Sequence, residues 1–360
     1  LVSIKLENVT KKFGDVIAVD NLNLEIEDKC FVSLLGPSGC GKTTTLRMIA
    51  GVEKPTSGTI YFDDTPVNDL PPKDRDVAMV FQFYVMYPGM NAFDQIAFPL
   101  KVRKLPRDEI VKRVKEAASL LNIEHILDQP VSKLNIAEQQ RIEIARAIVR
   151  KPRVYLLDEP LTNLDAKMRV QMRGELKHLF ETLGVTTVYV THDQIEAMSV
   201  ADKIAVMNFG KLEQYDAPTV LYEKPKNLFV AGFIGSPPMN FIDCSLIESG
   251  GRFYLDAGAF KYDVTDMAET IKEKATSNQL TLGIRPEHVK IKETREKDAI
   301  QGKISLWEPM GYRCIAHIDM GGISIQSNTT LQLNKAETIW ISFDKKKIHI
   351  FDKKSGELII

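Results

Sequence analysis

At 360 residues the chain is too long for one typical domain and predicts two or three units with real cores. Its 47 basic and 48 acidic side chains nearly cancel, which leaves no electrostatic footprint for a polyanion and argues against a nucleic-acid partner. No apolar run approaches membrane-span length and no signal-like start is visible, so the chain is expected to be soluble. Cys30, Cys40, Cys244 and Cys314, with no C-x-x-C pairing, suit reduced thiols rather than a disulfide framework or a zinc site.

In chain order, residues 3–9 and 22–26 alternate and predict antiparallel strands joined through Lys11 to Gly14. Phe13, followed by glycine, is either a platform for a stacked purine or a turn aromatic packed on the sheet. The apolar run 31–35 predicts a buried strand that stops at glycine. Gly36 to Thr43 then spells G-x-x-x-x-G-K-T, and residues 44–50 continue at helical spacing until Gly51. Glycines let backbone N–H groups curl around a phosphate, and the helix that follows offers its positive end. The loop of Gly36, Pro37, Ser38, Gly39, Cys40, Gly41, Lys42, Thr43 and Thr44 is therefore predicted to hold a nucleoside triphosphate. Lys42 reaches the β- and γ-phosphates and Thr43 ligates Mg²⁺. Cys40 sits close to the helix start, which predicts a lowered thiol pKa and ATP-protected reaction with maleimide.

Residues 77–82 predict a buried strand ending in Gln82. A polar amide at a strand's carboxyl end in an open α/β sheet sits where ligands bind, so Gln82 contacts Mg²⁺ or the attacking water, or else is a turn residue. Residues 83–100 read as an irregular segment with breakers at Pro88 and Pro99. Its aromatics and methionines suit either core or, by a small margin, a partner-docking surface. Helices are predicted over 107–121 and from about 137 to 150. Residues 154–158 predict a strand delivering Asp158, which can hold Mg²⁺ through water, and Glu159, which can polarise the hydrolytic water. Thr162 to Asp165 follow, then an amphipathic helix to about 183. The strand 186–191 ends at His192, placed for a γ-phosphate contact in the same strand-end row as Gln82 and Glu159. A strand and turn at 204–211 close this part. Beyond Gly235 short alternating segments predict a small β-barrel or sandwich without a catalytic constellation.

Together these motifs resemble the ATP-binding subunits of ABC importers, of the maltose and multisugar type, over nearly the whole chain. Gly36 to Thr43 matches Walker A, Gln82 the Q-loop, Tyr155 to Glu159 Walker B, Asn163 to Asp165 the D-loop and His192 the switch histidine; Phe13 falls at the A-loop position. Gly235 to Asn240 and Gly283 to His288 are similar to the family's C-terminal regulatory domain. The resemblance implies an α/β P-loop ATPase domain over 1–234, with a helical subdomain at about 92–150, followed by an all-β OB-like regulatory domain over 235–360. It implies ATP and Mg²⁺ as cofactors, with Thr43, Gln82 and Asp158 at the metal and Gln82, Glu159 and His192 catalytic. It also implies permease subunits docking at about residues 83–100, a second ATPase chain as homo- or heterodimer, and an extracytoplasmic solute-binding protein acting indirectly. The chain would lie on the cytoplasmic face of the membrane and energise solute uptake, with a sugar as the expected cargo.

One motif departs from the pattern. Leu134, Asn135, Ile136, Ala137 and Glu138 stand where the family has Leu-Ser-Gly-Gly-Gln, while Gln140-Arg141 and Ala145-Arg146-Ala147 still match. By the resemblance Asn135, Glu138 and Asp165 would border the nucleotide, yet Asn135 and Glu138 at this spacing predict a capping box. A regulatory or catalytically weak partner in an asymmetric ATPase pair is the alternative function, and a soluble ABC ATPase acting on nucleic acid is a third, weighed down by the neutral charge.

Overall fold

Strong alternation makes the chain start as strand, but the strands run further than that pattern suggests. In the computed structural model, which describes residues 2–83, 85–292, 294–295, 299–311, 313–331 and 337–360, β1 (Ile4–Phe13) and β2 (Val16–Ile26) form one hairpin. The expected junction at Lys11 to Gly14 is corrected: Lys11, Lys12 and Phe13 are paired with Val19, Ile17 and Val16. Register shifts between Leu6 and Val9, Val9 and Lys11, and Lys11 and Lys12 explain the difference. Each irregularity changes the face that the next side chain addresses, so a period of two is lost while pairing continues.

β3 (Phe31–Leu35) is buried throughout and feeds α1 (Lys42–Ala50), which Gly51 ends in the left-handed region at φ 78°. There follow β4 (Ser57–Phe62), β5 (Thr65–Pro66), β6 (Val77–Val80), α2 (Ala92–Val102), α3 (Arg107–Leu120) and α4 (Ile136–Ile148). Then come β7 (Val154–Asp158), α5 (Ala166–Leu183), β8 (Thr186–Thr191), α6 (Gln194–Val200), β9 (Lys203–Asn208) and β10 (Lys211–Asp216). Strands β2-β1-β4-β5 make an antiparallel sheet, and β10-β9-β3-β8-β7-β6 make a second one in which every pair except β10 with β9 is parallel. The side chains of β3, β7 and β8 are all buried, which is why β3 and β7 read as nearly continuous apolar runs, while β8 is built of β-branched and aromatic residues. Apolar residues of both sheets and of α1 form one core.

The segment read as irregular is half helix. Asn91 caps α2 by accepting from Asp94 N, and Ala92, Ile96, Ala97 and Leu100 bury one face. Pro99 lies inside the helix rather than ending it, so a proline misread as a breaker is the source of the error.

The chain divides into the units Leu1–Pro218 and Thr219–Ile360. Among its described residues the second holds the short helices Leu228–Phe233 and Ala268–Lys274 and two five-stranded antiparallel sheets, around their own apolar core. Arg285, 1% exposed, explains why residues before 235 belong with this unit. Its guanidinium donates to Tyr222 O at 2.6 Å and Ile234 O at 2.6 Å and lies 3.6 Å over the Tyr222 ring. Burial lowers its pKa to about 10.

Candidate functional site

The loop between β3 and α1 is shaped by what its glycines must avoid. A Cβ on Gly36 would stand 2.2 Å from Met207 O, and one on Gly41, at φ +99°, would stand 2.4 Å from Ala18 O. Only glycine allows the loop to be pressed between β9 and the β1–β2 hairpin. Gly41 is the N-cap of α1, provides no side-chain cap, and no acid occupies the first turn. The first amides of α1 therefore remain available to an anion. Lys42 is 5% exposed, and its Nζ donates to Gly36 O and Pro37 O, each at 2.8 Å. Ala18, Ser38, Gly39, Gly41, Lys42, Thr43, Thr44 and Glu159 line a cavity of about 200 Å³.

Because β6, β7, β8 and β3 run parallel, their carboxyl ends reach one edge, and the polar residues predicted there come together. Thr43 Oγ1 donates to Asp158 Oδ1 at 3.0 Å. Burial is the main cause that raises the Asp158 pKa, with the Thr43 hydrogen bond opposing it. Glu159 takes a left-handed φ of 47°, uncommon for a residue with a Cβ, and its N–H still donates to Val190 O at 3.0 Å. That turn aims the carboxylate over the phosphate loop. Its Oε2 accepts from Thr162 Oγ1 at 3.1 Å and Gln82 Nε2 at 3.4 Å, and His192 Nδ1 lies 3.1 Å from the same oxygen. Asn163 Nδ2 donates to Gln82 O at 2.8 Å, which holds the end of β6 beside the end of β7.

Thr162 and Ala18 are site members that motif reading passes over. The signal for Thr162 is a hydroxyl three residues after the carboxylate; for Ala18 the contact is through backbone and leaves no trace in residue type. Other predicted residues do not line this cavity. Phe13 is 48% exposed at the hairpin end, with Lys11 Nζ 4.8 Å from its ring centre. Asp165 is the N-cap of α5, accepting from Met168 N at 2.9 Å. Asn135 caps α4, and the predicted capping box is complete. The reading of Cys40 as an activated thiol is corrected. Its side chain is buried against Gly36, and desolvation raises its pKa despite the opposing charge of Lys42.

A separate groove of about 530 Å³ is lined by Phe81, Val85, Tyr87, Phe98, Val102 and Glu143, among others. Tyr87 and Phe98 pack with ring centres 4.6 Å apart at a tilt of 36°, while Phe83 and Val85 are exposed. Arg146 fastens this stretch to α4 by donating to Val85 O at 2.7 Å.

A glycine-rich loop at the carboxyl end of a central parallel strand, with Asp158 and Glu159 at the same end of β7, one strand removed across β8, defines a P-loop nucleoside triphosphatase. Family models agree in detail: ABC transporter over residues 19–162, MalK OB fold domain over 235–289 and TOBE domain over 282–351. The trehalose/maltose import ATP-binding protein of Thermococcus litoralis is 47% identical, matching 100% of both chains. The oligosaccharides import ATP-binding protein of Bacillus subtilis is 42% identical over 99% of both. A solved ATP-binding cassette, dimeric in a post-hydrolysis state with ADP and Pi, has a TM-score of 0.53 and 33% identity over 60% of this chain and 98% of its own. The chain belongs to the ATP-binding subunits of ABC transporters, ATPases whose hydrolysis is coupled to transport.

Proposed function

We propose that this chain hydrolyses ATP at the cavity between the phosphate loop and Glu159, and that it thereby energises import of a carbohydrate through membrane permease subunits. The observation that carries the mechanism is the convergence of Gln82, Thr162 and His192 on one oxygen of Glu159. A carboxylate fixed at the mouth of a phosphate cradle can orient and polarise a water for in-line attack. Lys42, released from the loop carbonyls, supplies positive charge to the β- and γ-phosphates, and the open first turn of α1 supplies N–H donors. Gln82 and His192 hold Glu159 from two sides and are positioned to follow the γ-phosphate.

The hydroxyl of Thr43 and the carboxylate of Asp158, 3.0 Å apart, fit Mg²⁺, a hard ion that takes oxygen ligands and keeps several waters. Thr43, Asp158 and Gln82 would hold it, where it would offset the charge of the phosphates. The cargo class rests on the names of the trehalose/maltose and oligosaccharide import relatives. The groove of Phe81, Val85, Tyr87 and Phe98 is the proposed seat of a permease segment. Among the described residues no helix is long and apolar enough to cross a membrane, so attachment at the cytoplasmic face would be through such partners. A second ATPase chain, and indirectly an extracytoplasmic solute-binding protein, complete the proposed complex, with residues 235–360 as its regulatory domain and Phe13 as the candidate base platform.

The capping box of Asn135 and Glu138 favours a second reading in which this chain is the weak member of an asymmetric ATPase pair. Reconstitution in liposomes with candidate permease pairs tests the main reading. ATP-driven uptake of labelled maltose or a longer oligosaccharide is expected with the native chain and not with E159Q. Uptake that proceeds equally with both would remove the proposed site from the function.

A further inference from the structure

A cluster behind the site ties both sides of Glu159 together, and no residue of the motifs assigned above explains it. Glu196 is buried, and its Oε2 accepts from Tyr189 Oη and Thr191 Oγ1, both at 2.8 Å. Asp193 N donates to Thr191 Oγ1 at 3.0 Å, and the Asp193 carboxylate caps α6 by accepting from Ile195 N and Glu196 N. His192 thus stands on a turn whose two flanking residues are fixed by these acids. Arg169, one turn into α5, reaches them from the other side: Nη1 lies 3.7 Å from Asp193 Oδ2, and Nε lies 3.7 Å from Glu196 Oε1. Its Nη2 donates to Thr162 O at 3.4 Å and Leu164 O at 3.2 Å. Thr162 is in turn a donor to Glu159.

We infer that Arg169 is a positioning residue for hydrolysis, a clamp that holds the 162–164 segment against the His192 turn so that Thr162 and His192 meet on the same oxygen of Glu159. A guanidinium suits the task because Nη2 hydrogen-bonds two carbonyls while the delocalised charge faces two carboxylates at 3.7 Å, a spread that a point charge on a flexible stem does not cover. Arg169 touches neither the phosphate loop nor the cavity above it, so its removal would displace the carboxylate without weakening nucleotide binding. A small displacement of a catalytic group is worth up to about 100-fold in rate.

This inference rests on the proposed role of Glu159, so the experiment measures both. Full-length native, R169Q, R169K and E159Q proteins would be compared by single-turnover hydrolysis of labelled ATP, binding of a fluorescent ADP and thermal unfolding. R169Q is expected to lower the hydrolysis rate about tenfold or more while ADP affinity stays within about twofold. R169K is expected to recover the unfolding midpoint but not the rate. An unchanged rate in R169Q, or a rate that R169K restores together with the midpoint, would overturn the clamp. Native turnover in E159Q would instead overturn the reading of the site beneath it.

Discussion

Asn135 and Glu138 satisfy each other across the first turn of α4: Glu138 N donates to Asn135 Oδ1 at 2.9 Å, and Asn135 N donates to Glu138 Oε2 at 2.9 Å. Where a signature of serine, glycines and glutamine presents a neutral, unobstructed helix start to a phosphate, this one carries a carboxylate and has the exposed side chain of Ile136 at its first position. Replacing Asn135, Ile136, Ala137 and Glu138 by Ser, Gly, Gly and Gln is expected to raise the ATPase rate of the isolated chain at least about tenfold where the chains dimerise, since one preorganised donor is worth about 100-fold. Ser and Gln can still cap the helix, so its weakening should come from the two glycines, at up to about 1 kcal/mol each. The check is steady-state hydrolysis beside an unfolding curve. Brisk, cooperative hydrolysis by the unaltered homodimer would end the asymmetric-pair reading.

E159Q should separate binding from chemistry. The amide keeps the shape of the side chain but offers no basic oxygen, so turnover is expected to fall about 100-fold or more. Lys42 and the α1 amides are untouched, so ATP affinity should stay within a few-fold; equilibrium binding and phosphate release measure the two.

The cysteines should react in order of access. Cys40 and Cys244 are buried and Cys314 is half-buried. Desolvation raises the pKa of Cys40 and pushes that of Cys244 up to about 12. At pH 7.5 a maleimide is expected to label Cys314 well before Cys40, with mass spectrometry of the peptides as the readout. Rapid labelling of Cys40 that ATP prevents would contradict its burial.

Glu143 should make the protein less stable as pH rises. It is 2% exposed in the apolar groove, and burial raises its pKa to about 7, opposed by Arg146 at 3.5 Å. Arg103 and Arg150 line the same groove. The folded state therefore holds a proton that the unfolded chain releases near 4.5, and stability is lost as pH climbs from about 4.5 to 7, by about 3 kcal/mol at most. E143Q is expected to flatten that slope and to raise the unfolding midpoint at pH 8, read from denaturant curves across pH 5 to 8.

Parts whose causes are local are legible in the order of residues alone. The apolar run at Phe31–Leu35, the glycine spacing of 36–41 and the lysine and threonine after it specify strand, loop and helix within fifteen residues. Asp158 and Glu159 follow an equally plain buried strand, and the Asn135–Glu138 box depends only on a spacing of three. Features that need partners far along the chain emerge only on folding. Bulges in β1 hid its length, packing of one face kept α2 helical through Pro99, and burial against Gly36 made Cys40 an inert thiol rather than an activated one. Gln82 and His192, 110 residues apart in the chain, meet with Thr162 on one oxygen of Glu159. Hydrogen bonds have no range beyond contact, so only the parallel sheet, by bringing its strand ends to one edge, could assemble them.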